Sequence, residues 1–201
     1  MQRREFLMAA GAVAAPLATR KAEVGTRNWG PDDLLRVPRS TSRVAPAQEP
    51  SLSPDVFARR LERARSELKA RGLDLLIATP STNYEYLTGY NPGRSERLIA
   101  LLLPVAGAPA IVCPSFEVER IKRHSVITDL HGWEEQEDPH ALVRETVRRL
   151  RPGSGRGAIA LESSTAYQTF RRLGAALPGW KFVDAAPVTE RLRVIKSPEA
   201  R

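Results

Sequence analysis

Leu73-Asp74-Leu75-Leu76-Ile77-Ala78 is the stretch from which the fold of this chain can be read. A short apolar run directly after a glycine stop, Gly72, reads as a strand. Behind it, Ser53-Pro54-Asp55 has the form of a helix start, with a capping residue, a proline at the first position and an acid in the first turn. Phe57, Leu61, Ala64 and Leu68 then recur at helical spacing. Ahead of it, Arg97 to Leu103 and Ala110 to Cys113 read as strands of a hairpin joined around Pro104 to Pro109. A helix from Ser115 to Arg123, a strand from Val126 to Leu130 and a helix capped by Asp138-Pro139 follow, the last with Leu142, Val143, Val147 and Leu150 on its inner face. A strand from Gly157 to Leu161, a helix lined by Tyr167, Phe170, Leu173 and Leu177, and a strand from Lys181 to Asp184 complete the series. Helices alternate with strands and one hairpin interrupts them. The expectation is an α/β domain in three layers, with a mixed sheet of about six strands and helices on both faces.

Composition narrows the function. The 201 residues have ordinary globular content, 42% hydrophobic and 27% charged, with a net charge of +8. The excess is spread along helices where arginines alternate with acids, as in Arg59-Arg60-Leu61-Glu62-Arg63, and no Lys/Arg run is interleaved with aromatics. Solvated helix faces account for this better than a nucleic-acid surface, and no partner of that kind is expected. The single cysteine, Cys113, has no disulfide partner within the chain and ends an apolar strand, which reads as a buried structural thiol. Gly153-Ser154-Gly155-Arg156-Gly157 precedes a strand instead of following one, which disfavours a dinucleotide cradle.

The N-terminus reads as an address. Arg3-Arg4 with Phe6-Leu7 and an uncharged run to Ala18 is the pattern of a twin-arginine export signal over residues 1–18, too short to span a bilayer. Residues 19–53, rich in Pro, Ser, Arg and Ala without periodicity, read as an extended or disordered linker. The expected location is therefore periplasmic.

Few residues invite a chemical role. Asn83-Tyr84-Glu85-Tyr86-Leu87-Thr88-Gly89-Tyr90 reads as a turn at the mouth of the sheet, with Asn83 capping it, Tyr86 and Leu87 anchoring it and Gly89 supplying a positive φ. His124, His131 and His140 each lack a partner at metal-ligand spacing, and Glu134 to Asp138 reads as a solvated acidic loop feeding a helix N-terminus.

Taken together, Asp74-Leu75-Leu76-Ile77, then Asn83-x-x-Tyr86-Leu87-Thr88-Gly89-Tyr90, then Glu96-Arg97, Pro114 and Arg120, resemble the N-terminal domain of the creatinase/prolidase/Xaa-Pro aminopeptidase family in order and spacing. The resemblance runs from Pro54 to Arg201, with the domain proper at residues 54–190. Leu192-Arg193-Val194-Ile195-Lys196-Ser197-Pro198-Glu199 is similar to the segment that leads into the family's catalytic domain, so residues 191–201 are expected to begin that linker helix. The resemblance implies a non-catalytic domain of an exported peptidase, cut short of its C-terminal pita-bread domain. That domain would hold two divalent metals, manganese or cobalt, and this chain would hold no cofactor and hydrolyse nothing alone. It also implies a homo-oligomer in which this domain reaches a peptide substrate in the neighbouring subunit, with Arg97 at the place of a carboxylate-binding arginine and Tyr90 beside it. Read as a surface residue, Arg97 would pair instead with Glu96 or Glu117. A module binding a small ligand or protein on its own is the alternative reading.

Overall fold

The computed structural model describes residues 52–151 and 155–194. The proposed signal, nearly all of the linker and residues 195–201 lie outside the described residues. Twelve elements follow in order: α1 (Pro54–Ala70), β1 (Leu75–Ala78), α2 (Thr82–Thr88), β2 (Ala100–Pro104), β3 (Ala110–Pro114), α3 (Ser115–His124), β4 (Leu130–Trp133), α4 (Pro139–Leu150), β5 (Gly157–Leu161), α5 (Tyr167–Ala176), β6 (Trp180–Asp184) and α6 (Ala186–Val194). The strands form one six-stranded sheet in the order β4-β3-β2-β1-β5-β6. Only β2 runs against the others, pairing antiparallel with β1 and β3. The remaining pairs are parallel, so five strands end on one edge of the sheet.

The three layers follow from the alternation of side chains along each strand. Leu76 and Ala78 of β1 join α1, α2, α3 and α6 on one face, where Leu68, Leu87, Ile121 and Val188 are buried. Leu75 and Ile77 face the other way into the layer of α4 and α5, against Val143, Val147 and Leu173. All of β1 is buried, as expected of a central strand covered on both sides. Asp74 ties its start to β5: one oxygen pairs with Arg151 and the other accepts the Ala158 N–H at 2.9 Å.

The elements differ from the sequence expectations in several places. The segment at Asn83 is a helix, α2, and not a turn. Its N-cap is Ser81, whose hydroxyl accepts the Tyr84 N–H at 3.1 Å, and not Asn83. Within it, Leu87 is buried as expected. Strand β2 starts at Ala100 rather than Arg97, because Ser95 Oγ takes the Arg97 N–H and Trp133 Nε1 takes the Leu98 carbonyl, which removes both from the ladder. Strand β4 is Leu130–Trp133 rather than Val126 to Leu130. The Val126 N–H donates to the Thr88 carbonyl and the Ile127 N–H to Ser125 Oγ, so those residues form a buried connector. Helix α5 buries Leu173 and the following Leu177, but Tyr167 and Phe170 are 72% and 40% exposed. Tyr167 packs on Phe170, which packs on Phe182 of β6, the edge strand among the described residues. Helix α6 begins at Ala186, with Val188, Thr189 and Leu192 buried and Val194 exposed.

Candidate functional site at the carboxyl edge of the sheet

In open α/β sheets, ligands meet the loops beyond the carboxyl ends of the strands. Here that edge carries Thr79, Ser115, Glu134 and Glu162 just after β1, β3, β4 and β5, together with the connection from α2 to β2. Gly89 starts that connection. It closes α2 with φ of 82° and ψ of −3°, donating its N–H to the Glu85 carbonyl at 2.8 Å. A Cβ at Gly89 would stand 3.1 Å from the Phe57 ring, so glycine is required by space as well as by φ.

The connection leads Tyr90 and Arg97 to the same helix. Tyr90 stacks on His124 at 5.3 Å between ring centroids, with the Arg120 guanidinium 5.9 Å away. Burial pushes the Tyr90 phenol up, partly offset by Arg120. The Arg97 guanidinium lies 5.3 Å from the Phe116 ring and pairs with Glu135, not with Glu96 or Glu117. The loop after β4 carries Glu135 toward Arg97, a proximity that residue spacing does not reveal. Phe116 and Arg120 are one turn apart on α3, so Tyr90 and Arg97 flank one stripe of that helix. Arg97 borders two cavities, one of about 290 Å³ with Thr79, Arg94, Ser164 and Thr169, and one of about 260 Å³ with Trp133, His140 and Arg172. Its pair with Glu135 is exposed, with side chains 45% and 71% accessible, and is therefore weak enough for a ligand carboxylate to displace.

Glu162 is the residue that sequence reasoning missed. It is 4% exposed at the end of β5, and both its oxygens accept from Asn83 Nδ2, at 2.9 and 3.1 Å. Burial raises its pKa, partly offset by the Asn83 and Ser164 hydrogen bonds and by the Arg193 charge. Asn83 thus joins α2 to β5 across the edge of a cavity of about 390 Å³. The only local signal was an acid directly after an apolar strand.

Two of the histidines pair with aspartates. His131 Nε2 lies 2.9 Å from Asp129, and His140 Nδ1 lies 3.2 Å from Asp138, which also caps α4 through the His140 N–H at 2.9 Å. Among the described residues no three His, Cys, Asp or Glu side chains converge to hold an ion. Cys113 is buried, and burial pushes its thiol up to about 12, which leaves it protonated and unreactive at neutral pH. Among the described residues no helix is long and apolar enough to cross a membrane.

Comparison with known proteins bears on the fold and the family. The family model for the creatinase/prolidase N-terminal domain matches residues 60–195. A probable dipeptidase, PepE, of Mycobacterium bovis is 36% identical over 146 residues, covering 71% of this chain and 37% of the relative. The solved dipeptidase PepE of Mycobacterium ulcerans superposes with a TM-score of 0.65 at 32% identity, covering 73% of this chain and 39% of that one. The creatinase/prolidase N-terminal domain of an X-Pro dipeptidase from Streptococcus pyogenes superposes with a TM-score of 0.57 at 22% identity, covering 66% of this chain and 98% of that domain; at that identity the likeness is one of fold. The chain spans less than two fifths of the length of the mycobacterial relatives.

Proposed function

Because the chain belongs to the creatinase/prolidase N-terminal domain family, we propose that it is the non-catalytic N-terminal domain of an exported Xaa-Pro aminopeptidase or prolidase-like metallopeptidase. Its work there is to support oligomerisation and substrate access. A C-terminal pita-bread partner would hold the two divalent ions, manganese or cobalt, which would supply polarisation of the scissile peptide there. The observation that carries the reading is the placement of Arg97: exposed at the carboxyl edge, steadied on Phe116, and held only by a surface pair with Glu135. A guanidinium so placed can exchange Glu135 for the carboxylate of a short peptide bound in a neighbouring subunit. Tyr90 contributes by fixing the connection against His124 and Arg120, so that the loop presents Arg97 in one position.

The test replaces the N-terminal domain of the Mycobacterium ulcerans dipeptidase with residues 54–194 of this chain and compares Arg97 with Arg97→Ala. Loss of a charged hydrogen bond to the substrate should raise KM by about tenfold or more and leave kcat within about twofold. Equal KM values for the two chimeras would remove Arg97 from substrate access. Export rests on Arg3 and Arg4. Replacing both with lysine should hold a fused reporter in the cytoplasm, and unchanged export would refute this part.

A further inference from the structure

A fourth pocket, away from Arg97, lies beside α1 and α2. It has a volume of about 300 Å³, and its walls include Phe57, Arg60, Thr82, Glu85, Tyr86 and Arg193. Arg60 is 9% exposed, which is unusual for a guanidinium. Its carbon Cζ lies 4.1 Å from the Tyr86 ring centroid and 5.1 Å from that of Phe57. Of its five N–H donors, one reaches the Tyr86 carbonyl at 3.0 Å, while Nε is buried without a hydrogen-bond partner. Among the described residues no carboxylate forms an ion pair with Arg60.

Buried charges in proteins are ordinarily paired, because an uncompensated one forfeits its hydration. The aromatic contacts offset part of that loss but supply no acceptor for the remaining donors. Arg60 lines the pocket, which also brings a second arginine, Arg193. The only acid on its wall is Glu85, which is exposed and accepts from Asn91 Nδ2 at 3.3 Å. Arg193 also faces Glu162.

We propose that this pocket binds a small oxyanion, a carboxylate or phosphate group, with Arg60 as the fork that grips it and Arg193 as the second cation at the rim. The anion takes the Nη donors of Arg60 that the Tyr86 carbonyl leaves free and neutralises its charge, and Phe57 and Tyr86 screen the pair from water. A buried fork of this kind suits a planar or tetrahedral oxyanion better than a halide, since its donors are spaced for two oxygens.

The experiment follows the arginine Nε–H resonances of the full 201-residue chain during titration with inorganic phosphate and, separately, with acetate, at ionic strength held constant with chloride. The Arg60 resonance is identified by its loss in Arg60→Lys. It should shift and saturate, whereas the exposed Arg171 should drift without saturating. Saturation by acetate alone assigns the pocket to carboxylates, by phosphate alone to phosphates, and by both to either group. Arg193→Gln, a change at an exposed position that leaves the fold intact, should weaken the apparent constant by about two- to fivefold. Arg60→Lys should weaken the phosphate-induced rise in melting temperature by about tenfold in concentration. A response of Arg60 that fails to saturate with either anion, or that matches Arg171, would overturn the proposal, as would an Arg193→Gln constant equal to that of the unmodified chain.

Discussion

Replacing Gly89 with alanine should destabilise the domain by about 3 kcal/mol. Two separate costs meet at this residue. A side chain at φ of 82° costs about 1–2 kcal/mol in backbone strain. The new Cβ would sit 3.1 Å from Phe57 Cζ and 3.3 Å from Cε1, closer than ordinary contact. Phe57 is itself buried and touches Arg60, so its ring cannot swing away freely, and crowding of this kind costs about 1–3 kcal/mol. Alanine restricts the unfolded chain and returns about 0.4–1 kcal/mol. The balance lies between about 1 and 5 kcal/mol. Urea unfolding followed by circular dichroism measures it. Gly72→Ala is the matched control: φ is 63°, but nothing lies within 4 Å of the added Cβ, so only the strain remains. The difference between the two variants isolates the Phe57 contact and should be about 1–3 kcal/mol. In a Phe57→Ala background that difference should vanish. If Gly89→Ala costs no more than Gly72→Ala in the unmodified chain, the packing argument for this residue is wrong.

Glu162 gives a pH signature. Its folded pKa is raised, so between the ordinary glutamate value of about 4.3 and its folded value the native state holds more protons than the unfolded chain, and stability falls as pH rises. Glu162→Gln, which keeps an acceptor for Asn83, should flatten that decline in melting temperature, and an unchanged profile would show that Glu162 is not its source. Asp74→Ala removes the acceptor of the Ala158 N–H and the partner of Arg151, and chemical denaturation should report a loss of about 1–3 kcal/mol. Phe116, Tyr167, Phe170 and Val194 are large, apolar and exposed, so sedimentation should show an average mass that rises with concentration. A mass fixed at that of the monomer across the range would count against self-association.

The parts legible in the sequence were those set by local pattern. Leu75 to Ala78 and Gly157 to Leu161 are apolar runs between breakers and became strands β1 and β5. Asp138-Pro139 starts α4 as its chemistry requires. Helix α2 was obscured because its 7 residues are too few to show a period, although Ser81 and Gly89 bracket it as caps. Strand β4 was misplaced because His131-Gly132-Trp133 lacks the β-branched residues that Val126-Ile127 offers, and pairing with β3 decides the matter over distance. The site was less legible for the same reason. Asn83 and Glu162 are 79 residues apart, and Arg97 and Glu135 are 38 apart. Arg60, which alternates with acids in the sequence, is buried because Tyr86 of α2 folds over it.

The central claim is that this polypeptide is a platform for a metallopeptidase centre carried by another domain. Hydrolysis of a Xaa-Pro dipeptide by the purified 201-residue chain, with manganese or cobalt added, tests it most directly. Release of proline should be no faster than in a protein-free blank at any metal concentration. Turnover that depends on the added ion and is abolished by a chelator would contradict it.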